Sequence, residues 1–313
     1  MGARVTAPLE HFTLEELSPG IHVAIATPEG YGLCNAAIVD LGGSTLVFDA
    51  MLTPQAGESL RRAAERLTGR PIDFVVNSHY HGDHVRGNTV LGALHVVSTR
   101  RVRELVLERA TSALASDRAE VPGELERLRT GALPATPADR RVLEGWYGGI
   151  LATPADYRVR PPDLTFEEEL VLHGARRSAR IVTFGGGHSP SDVLVHLPEE
   201  RLVLLGDLLS SGFHPSLWDG DPVELYRILD RVLELRIDRA LPGHGPVSDA
   251  AGIRTMQQYV RVLQELARTR HEGKVPPDRT EGVRPPPPFD DWVFSSFFAQ
   301  NLEFVQRRSH DPH

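Results

Sequence analysis

Short apolar runs that stop on glycine or a polar residue recur along this chain and set its architecture. Ile72 to Val76 reads as a short buried strand, and Ser44 to Ala50, Arg180 to Phe184 and Arg201 to Asp207 read the same way. A further strand-like segment runs into Leu241. Between these runs, Gln55 to Leu67 and Val223 to Leu235 place their apolar residues on one helical face. Strands mixed with amphipathic helices predict a layered α/β or α+β architecture. Two of the strand strings, Ser44 to Ala50 and Arg201 to Asp207, run into an aspartate, and each comes early in one half of the chain. That pairing is consistent with a weak internal duplication.

Three regions depart from the pattern. Arg100 to about Pro162 is too long for an ordinary connection. It carries one helical stripe of Val102, Leu105, Val106, Ala110 and Leu114, and a second of Leu143, Trp146, Tyr147, Ile150 and Leu151. Pro276, Pro277 and the run Pro285 to Pro288 mark an extended segment that cannot be helix interior. Phe289 to Arg308 then gathers Trp292, Phe294, Phe297, Phe298 and Phe304. So aromatic a segment requires burial, over its own domain or, alternatively, across a homodimer contact. The chain therefore divides into residues 1–275 and a Pro-rich, helical C-terminal tail over residues 276–313.

The chemistry concentrates in His79, Tyr80, His81, Gly82, Asp83 and His84. Three of the 14 histidines of the whole 313-residue chain fall within six positions, and imidazole with carboxylate is the donor set of zinc and related first-row metals. If the chain stays extended beyond the strand at Val76, His79 and His81 point to the same side. Asp83 and His84 then fall where the following segment turns helical. One metal could take the first pair and a neighbouring metal the second. Three later residues complete such a cage: His188 in a glycine-rich bend, Asp207 at the end of an apolar run, and His244 framed by Gly243 and Gly245. Each lies just past a strand, the usual position for a site built on loops over a rigid sheet.

Taken in order, HxHxDH, Gly-Gly-His, Gly-Asp and Gly-His-Gly resemble the metallo-β-lactamase-fold superfamily of metallohydrolases, from about Asn35 to Pro246, with a glyoxalase II-like dinuclear ligand set. The resemblance implies that His79, His81 and His188 hold one metal, that Asp83, His84 and His244 hold the other, and that Asp207 bridges them. It also implies an α+β fold, a four-layer αββα sandwich with the site at one edge between the sheets. Residues 100–162 are then a helical insertion able to roof the metals, with Trp146 or Tyr147 touching substrate or simply filling a helical hairpin's core.

Two Zn2+ ions per chain are expected, with iron or manganese as alternatives. Zinc lowers the pKa of bound water from about 15.7 to about 7, so a metal-bound hydroxide can attack while the second metal polarises the carbonyl. No G-x-S-x-G nucleophile elbow is present. The expected function is a dinuclear-zinc hydrolase that cleaves a small ester, thioester, lactone or amide-like carbonyl. A mononuclear-iron persulfide dioxygenase-like enzyme and a metal-dependent phosphodiesterase are the alternatives. Asp83 and Asp207 are catalytic candidates as ligands, Asp207 also as a proton carrier. His214, seven residues past Asp207, either hydrogen-bonds substrate or shapes its turn. Asp219 and Asp221 read as a turn and a helix N-cap.

Bulk composition narrows the partners. A net charge of −8 argues against nucleic acid, which needs a basic face, so the expected partner is a small molecule. The single Cys34 excludes an intrachain disulfide and reads as a small core residue. No run reaches membrane-spanning length, and Met1 to Arg4 lead into no signal-like apolar core. The expectation is a cytoplasmic protein without membrane contact.

Overall fold

A computed structural model describes residues 4–9, 11–276, 278–280 and 282–310. Met1 to Ala3 and Pro277, on which the N-terminal and proline readings partly rest, lie outside the described residues. The first sheet has eight strands in chain order: β1 (Arg4–Leu9), β2 (Phe12–Ser18), β3 (Ile21–Ala26), β4 (Ala36–Asp40), β5 (Thr45–Phe48), β6 (Phe74–Val76), β7 (His95–Thr99) and β8 (Leu164–Phe166). It is antiparallel through β5 and parallel from β5 to β8. The second sheet comprises β9 (Glu169–His173), β10 (Ser178–Gly185), β11 (Asp192–Leu197), β12 (Leu202–Ser210) and β13 (Arg239–His244). Its spatial order is β13-β12-β11-β10-β9, and only the β12–β13 pair is parallel.

The helices are α1 (Pro54–Thr68), α2 (Gly82–Val85), α3 (Asn88–Leu91), α4 (Arg100–Thr130), α5 (Pro137–Ala152), α6 (Pro222–Leu233), α7 (Ala250–Glu272) and α8 (Ser295–His310). Local signals explain several boundaries. Thr53 caps α1 by accepting from Ala56 N, Pro54 stands in its first turn, and Gly69 ends it in the left-handed region. Asp221 caps α6 by accepting from Val223 N and Glu224 N, as expected. Thr136 and Asp139 form a reciprocal capping box at the start of α5.

Side-chain alternation along the strands produces the four layers. Leu46 and Phe48 of β5 face Leu202 and Leu204 of β12 in one buried cluster between the sheets. Their neighbours point the other way: Val47 packs with Ala56, Leu60 and Ala63 of α1, and Val203 and Leu205 pack with residues of α6 and α7. The aromatic tail joins this last layer, with Phe289, Phe298 and Leu302 fully buried beside Tyr259 of α7. Within the insertion, α4 and α5 pack on each other and on Phe294 of the tail.

The suspected duplication has a structural counterpart. β4, β5, α1 and β6 form an antiparallel pair, a helix and a parallel partner; β11, β12, α6 and β13 do the same. His79 follows the last strand of the first set, and His244 ends the last strand of the second. Among the described residues, no helix is long and apolar enough to cross a membrane.

Candidate metal centre

The motif occupies the loop after β6. His81 is extended (φ −61°, ψ 149°) and immediately precedes α2, whose first turn holds Asp83 and His84. His188 sits in the β10–β11 connection, Asp207 inside β12 and His244 at the end of β13. The fold thereby brings all seven predicted residues together. Ligand atoms of His79, His81, His188 and Asp207 lie within 4.8 Å of one another, and those of Asp83, His84 and His244 form a second such group. The groups touch: Asp207 Oδ1 is 3.2 Å from His84 Nε2, and its Oδ2 is 3.3 Å from His244 Nε2 and 3.4 Å from His188 Nε2. Asp83 Oδ2 lies 3.4 Å from both His84 Nε2 and His244 Nε2. Close approach is built into the backbone, since a Cβ on Gly243 would fall 1.8 Å from Asp207 Oδ1.

Four histidines spend one ring nitrogen on the protein and turn the other inward. His79 Nδ1 is 2.9 Å from Ser78 Oγ. His84 Nδ1 is 2.8 Å from Asp49 Oδ2, His81 Nε2 is 3.2 Å from Asp219 Oδ2, and His244 Nδ1 is 3.2 Å from the Leu33 carbonyl. Donation to these oxygens fixes the tautomers and leaves the inward lone pairs free for a cation. The buried atoms His79 Nε2, His84 Nε2 and Asp207 Oδ1 have no hydrogen-bond partner, and His81 Nδ1 faces His188 Nε2 at 3.1 Å. Buried polar groups are rarely left so. The donor types, their convergence and their unmet valences fit divalent ions.

The supporting residues are the ones that motif reading assigned no role in the site. Asp49 is fully buried, with φ +59°, and accepts from Ser78 N at 2.7 Å and Ser78 Oγ at 2.8 Å as well as facing His84. Its place at the end of an apolar strand, matching Asp207, was the available signal. Asp219 does sit in a turn, as expected, but its carboxylate also accepts from Tyr80 Oη at 2.5 Å and lies 3.5 Å from Arg109 of α4. Asp192 gathers the amides of Gly187, His188 and Ser189 at 2.7 to 3.2 Å and so shapes the His188 loop.

Electrostatics sort the set. Burial alone would raise Asp83 and Asp207, but the surrounding histidines, His84 and His244 for both, hold the two carboxyls below the ordinary range. Burial pushes His188 down to about 3 and, with neighbouring imidazoles, holds His79 well below its ordinary value. At His84 and His244 burial is outweighed by nearby acids, Asp207 and Asp83 among them, and both are raised. A divalent ion would take the place of those protons. Burial pushes the Cys34 thiol up to about 12, in keeping with a core residue.

A cavity of about 380 Å3 opens onto His81, Asp83, Asp207 and His244. Trp146 of the insertion lines it and also packs on Phe294. His214 borders the same cavity, but its Nδ1 is 3.0 Å from Tyr259 Oη and its ring lies against Trp292 and Phe298. Its observed contacts join the loop after β12 to α7 and the tail.

The profile of the Metallo-beta-lactamase superfamily matches residues 30–244 of this chain. A linear primary-alkylsulfatase of Pseudomonas sp. is 21% identical over 76% of this chain and 49% of its own length. A hydroxyacylglutathione hydrolase of Synechococcus sp. is 24% identical over 61% of this chain and 57% of its own. The chain thus spans about half the length of the curated relatives it matches. Among solved structures, the stereoselective inverting sec-alkylsulfatase Pisa1 from Pseudomonas sp. superposes with a TM-score of 0.65 at 18% identity, over 94% of this chain and 50% of that one.

Proposed function

This chain belongs to the metallo-beta-lactamase superfamily, and from that premise we propose that it is a metal-dependent hydrolase holding two zinc ions and acting on a carbonyl ester, thioester, lactone or amide-like bond. The observation that carries the reading is the inward convergence of seven donors, among which His79 Nε2, His84 Nε2 and Asp207 Oδ1 are buried without a hydrogen-bond partner, while the outward nitrogens of His81, His84 and His244 are occupied. His79, His81 and His188 would hold one ion, Asp83, His84 and His244 the other, with Asp207 between them. Two such ions supply an activated water near neutral pH and an electrophile for the carbonyl oxygen.

The protein's own groups do the remainder. Asp49, Asp219 and the Leu33 carbonyl keep the histidine tautomers fixed, so the donor geometry needs no reorganisation during reaction. Asp207 faces three histidines and would serve as the ionised carboxylate shared by the two ions. The aromatic walls beside the centre limit bulk water.

Sulfate-ester hydrolysis is a second reading, drawn from the two alkylsulfatases whose alignments cover most of this chain. Elemental analysis of the purified protein, with a panel of carboxylic esters, thioesters, lactones and alkyl sulfates, tests both. About two zinc per chain with carbonyl-ester turnover, abolished in His79→Ala, is expected. Turnover confined to alkyl sulfates would favour the second reading, and about one iron per chain with no hydrolysis would sink both.

A further inference from the structure

We propose that the cavity beside the metal centre selects substrates whose non-reacting part is bulky, apolar and uncharged, such as an aryl or alicyclic group. This rests on the hydrolase reading for where the reacting bond sits, but its evidence lies in the walls. An unbroken series of ring contacts leads away from the ligand candidate His244. Phe213 lies 6.0 Å from His244, Phe294 5.8 Å from Phe213, Phe297 5.0 Å from Phe294, and Trp218 5.0 Å from Phe297. Trp146 adds to this arc from the insertion, 6.0 Å from Phe294. All five of these aromatic side chains line the cavity, and Trp218 ends the arc at the surface, 43% exposed. The volume falls within the range of small-molecule clefts.

Charge on the walls is already balanced. Arg86 is paired with Asp117 at 2.5 Å. Arg109 is 3.5 Å from Asp219 and donates to Tyr80 Oη at 2.9 Å. Away from the metal ligands, each cationic side chain lining the cavity therefore faces a carboxylate, Asp117 for Arg86 and, shared with His81, Asp219 for Arg109. A substrate bringing a remote carboxylate or ammonium would have to break one of these pairs or lie unpaired against rings, and either is costly. An uncharged ring meets offset and edge-on aromatic partners along the arc.

Methyl ketones keep the carbonyl but cannot be hydrolysed, so calorimetric titration of the metal-loaded protein separates binding from turnover. 2-Acetylnaphthalene should bind about tenfold or more tightly than 6-acetyl-2-naphthoate, which adds a carboxylate at the far end. Phe297→Ala should weaken the neutral ketone about fivefold at unchanged metal content. Equal or tighter binding of the charged ketone by the unmodified protein would overturn the proposal. Ketone binding as expected, with no ester turned over, would leave it standing while removing the hydrolase reading. Ester turnover indifferent to the size of the apolar group, with no ketone preference, would overturn it while leaving that reading intact.

Discussion

Asp49 and Asp219 each face a histidine of the candidate metal centre, but in contrasting surroundings. Asp49 is fully buried at the end of β5, is bonded twice to Ser78, and is set 2.8 Å from His84. Asp219 sits on a loop with its side chain 26% exposed, and reaches His81 at 3.2 Å alongside Tyr80 and Arg109. The first support belongs to the sheet; the second is shared with the inserted helix α4. One half of the cage is therefore tied to the stability of the fold. The other depends on a surface loop and on α4, whose Arg109 meets Asp219.

Substitution should expose that asymmetry. Asp49→Ala leaves Ser78 N, Ser78 Oγ and His84 Nδ1 without their partner in a dry interior. Unfolding stability should fall by about 3–5 kcal/mol, read by urea titration. Asp219→Ala should change stability by less than about 1 kcal/mol, because its partners can reach solvent. It should nonetheless weaken metal at the His81 side roughly 10- to 100-fold in chelator competition. If both variants lost stability equally and kept metal equally, the comparison would fail.

These two residues also mark where the sequence stopped being readable. The seven donors were legible because four crowd into six positions and the other three stand beside glycine in or just after apolar runs, although Asp207 lies inside β12 rather than past a strand. A layered architecture was legible in the apolar runs and amphipathic helices, its four layers only through the family resemblance; that alternating strand residues serve two cores is seen in the fold. Asp49 was visible as a strand-ending acid, but only the packing of β5 beside β6 shows that it backs His84. Asp219 looked like a turn residue and is one; its link to His81 spans 138 positions, and no local pattern encodes such a pairing. The hairpin of β2 and β3 carried no motif and went unread, although Phe12 and Ile21 are fully buried.

A buried histidine without a carboxylate behind it sharpens the contrast. His214 faces a tyrosine hydroxyl rather than an acid, and burial pushes it down to about 4. It is neutral in the fold, while the unfolded chain takes up a proton near pH 6.5. Stability should therefore rise with pH from about 4 to 6.5 and level off above. His214→Phe should flatten that slope by roughly 1–2 kcal/mol at pH 5 in urea melts compared with pH 7. An unchanged slope would mean that the site is wetter than its contacts imply. The smallest effect belongs to Arg109→Ala. Its exposed pair with Asp219 should alter metal affinity about two- to threefold at most, and less in high salt.

The aromatic arc has a consequence in time as well as in space. Every proposed metal donor has been synthesised once residue 244 is added, whereas Phe294 and Phe297, which close the cavity wall, come about 50 residues later. At roughly 5–20 residues per second, that separation leaves an interval of about 3–10 seconds on the ribosome. The order of synthesis is thus donors first and aromatic wall second.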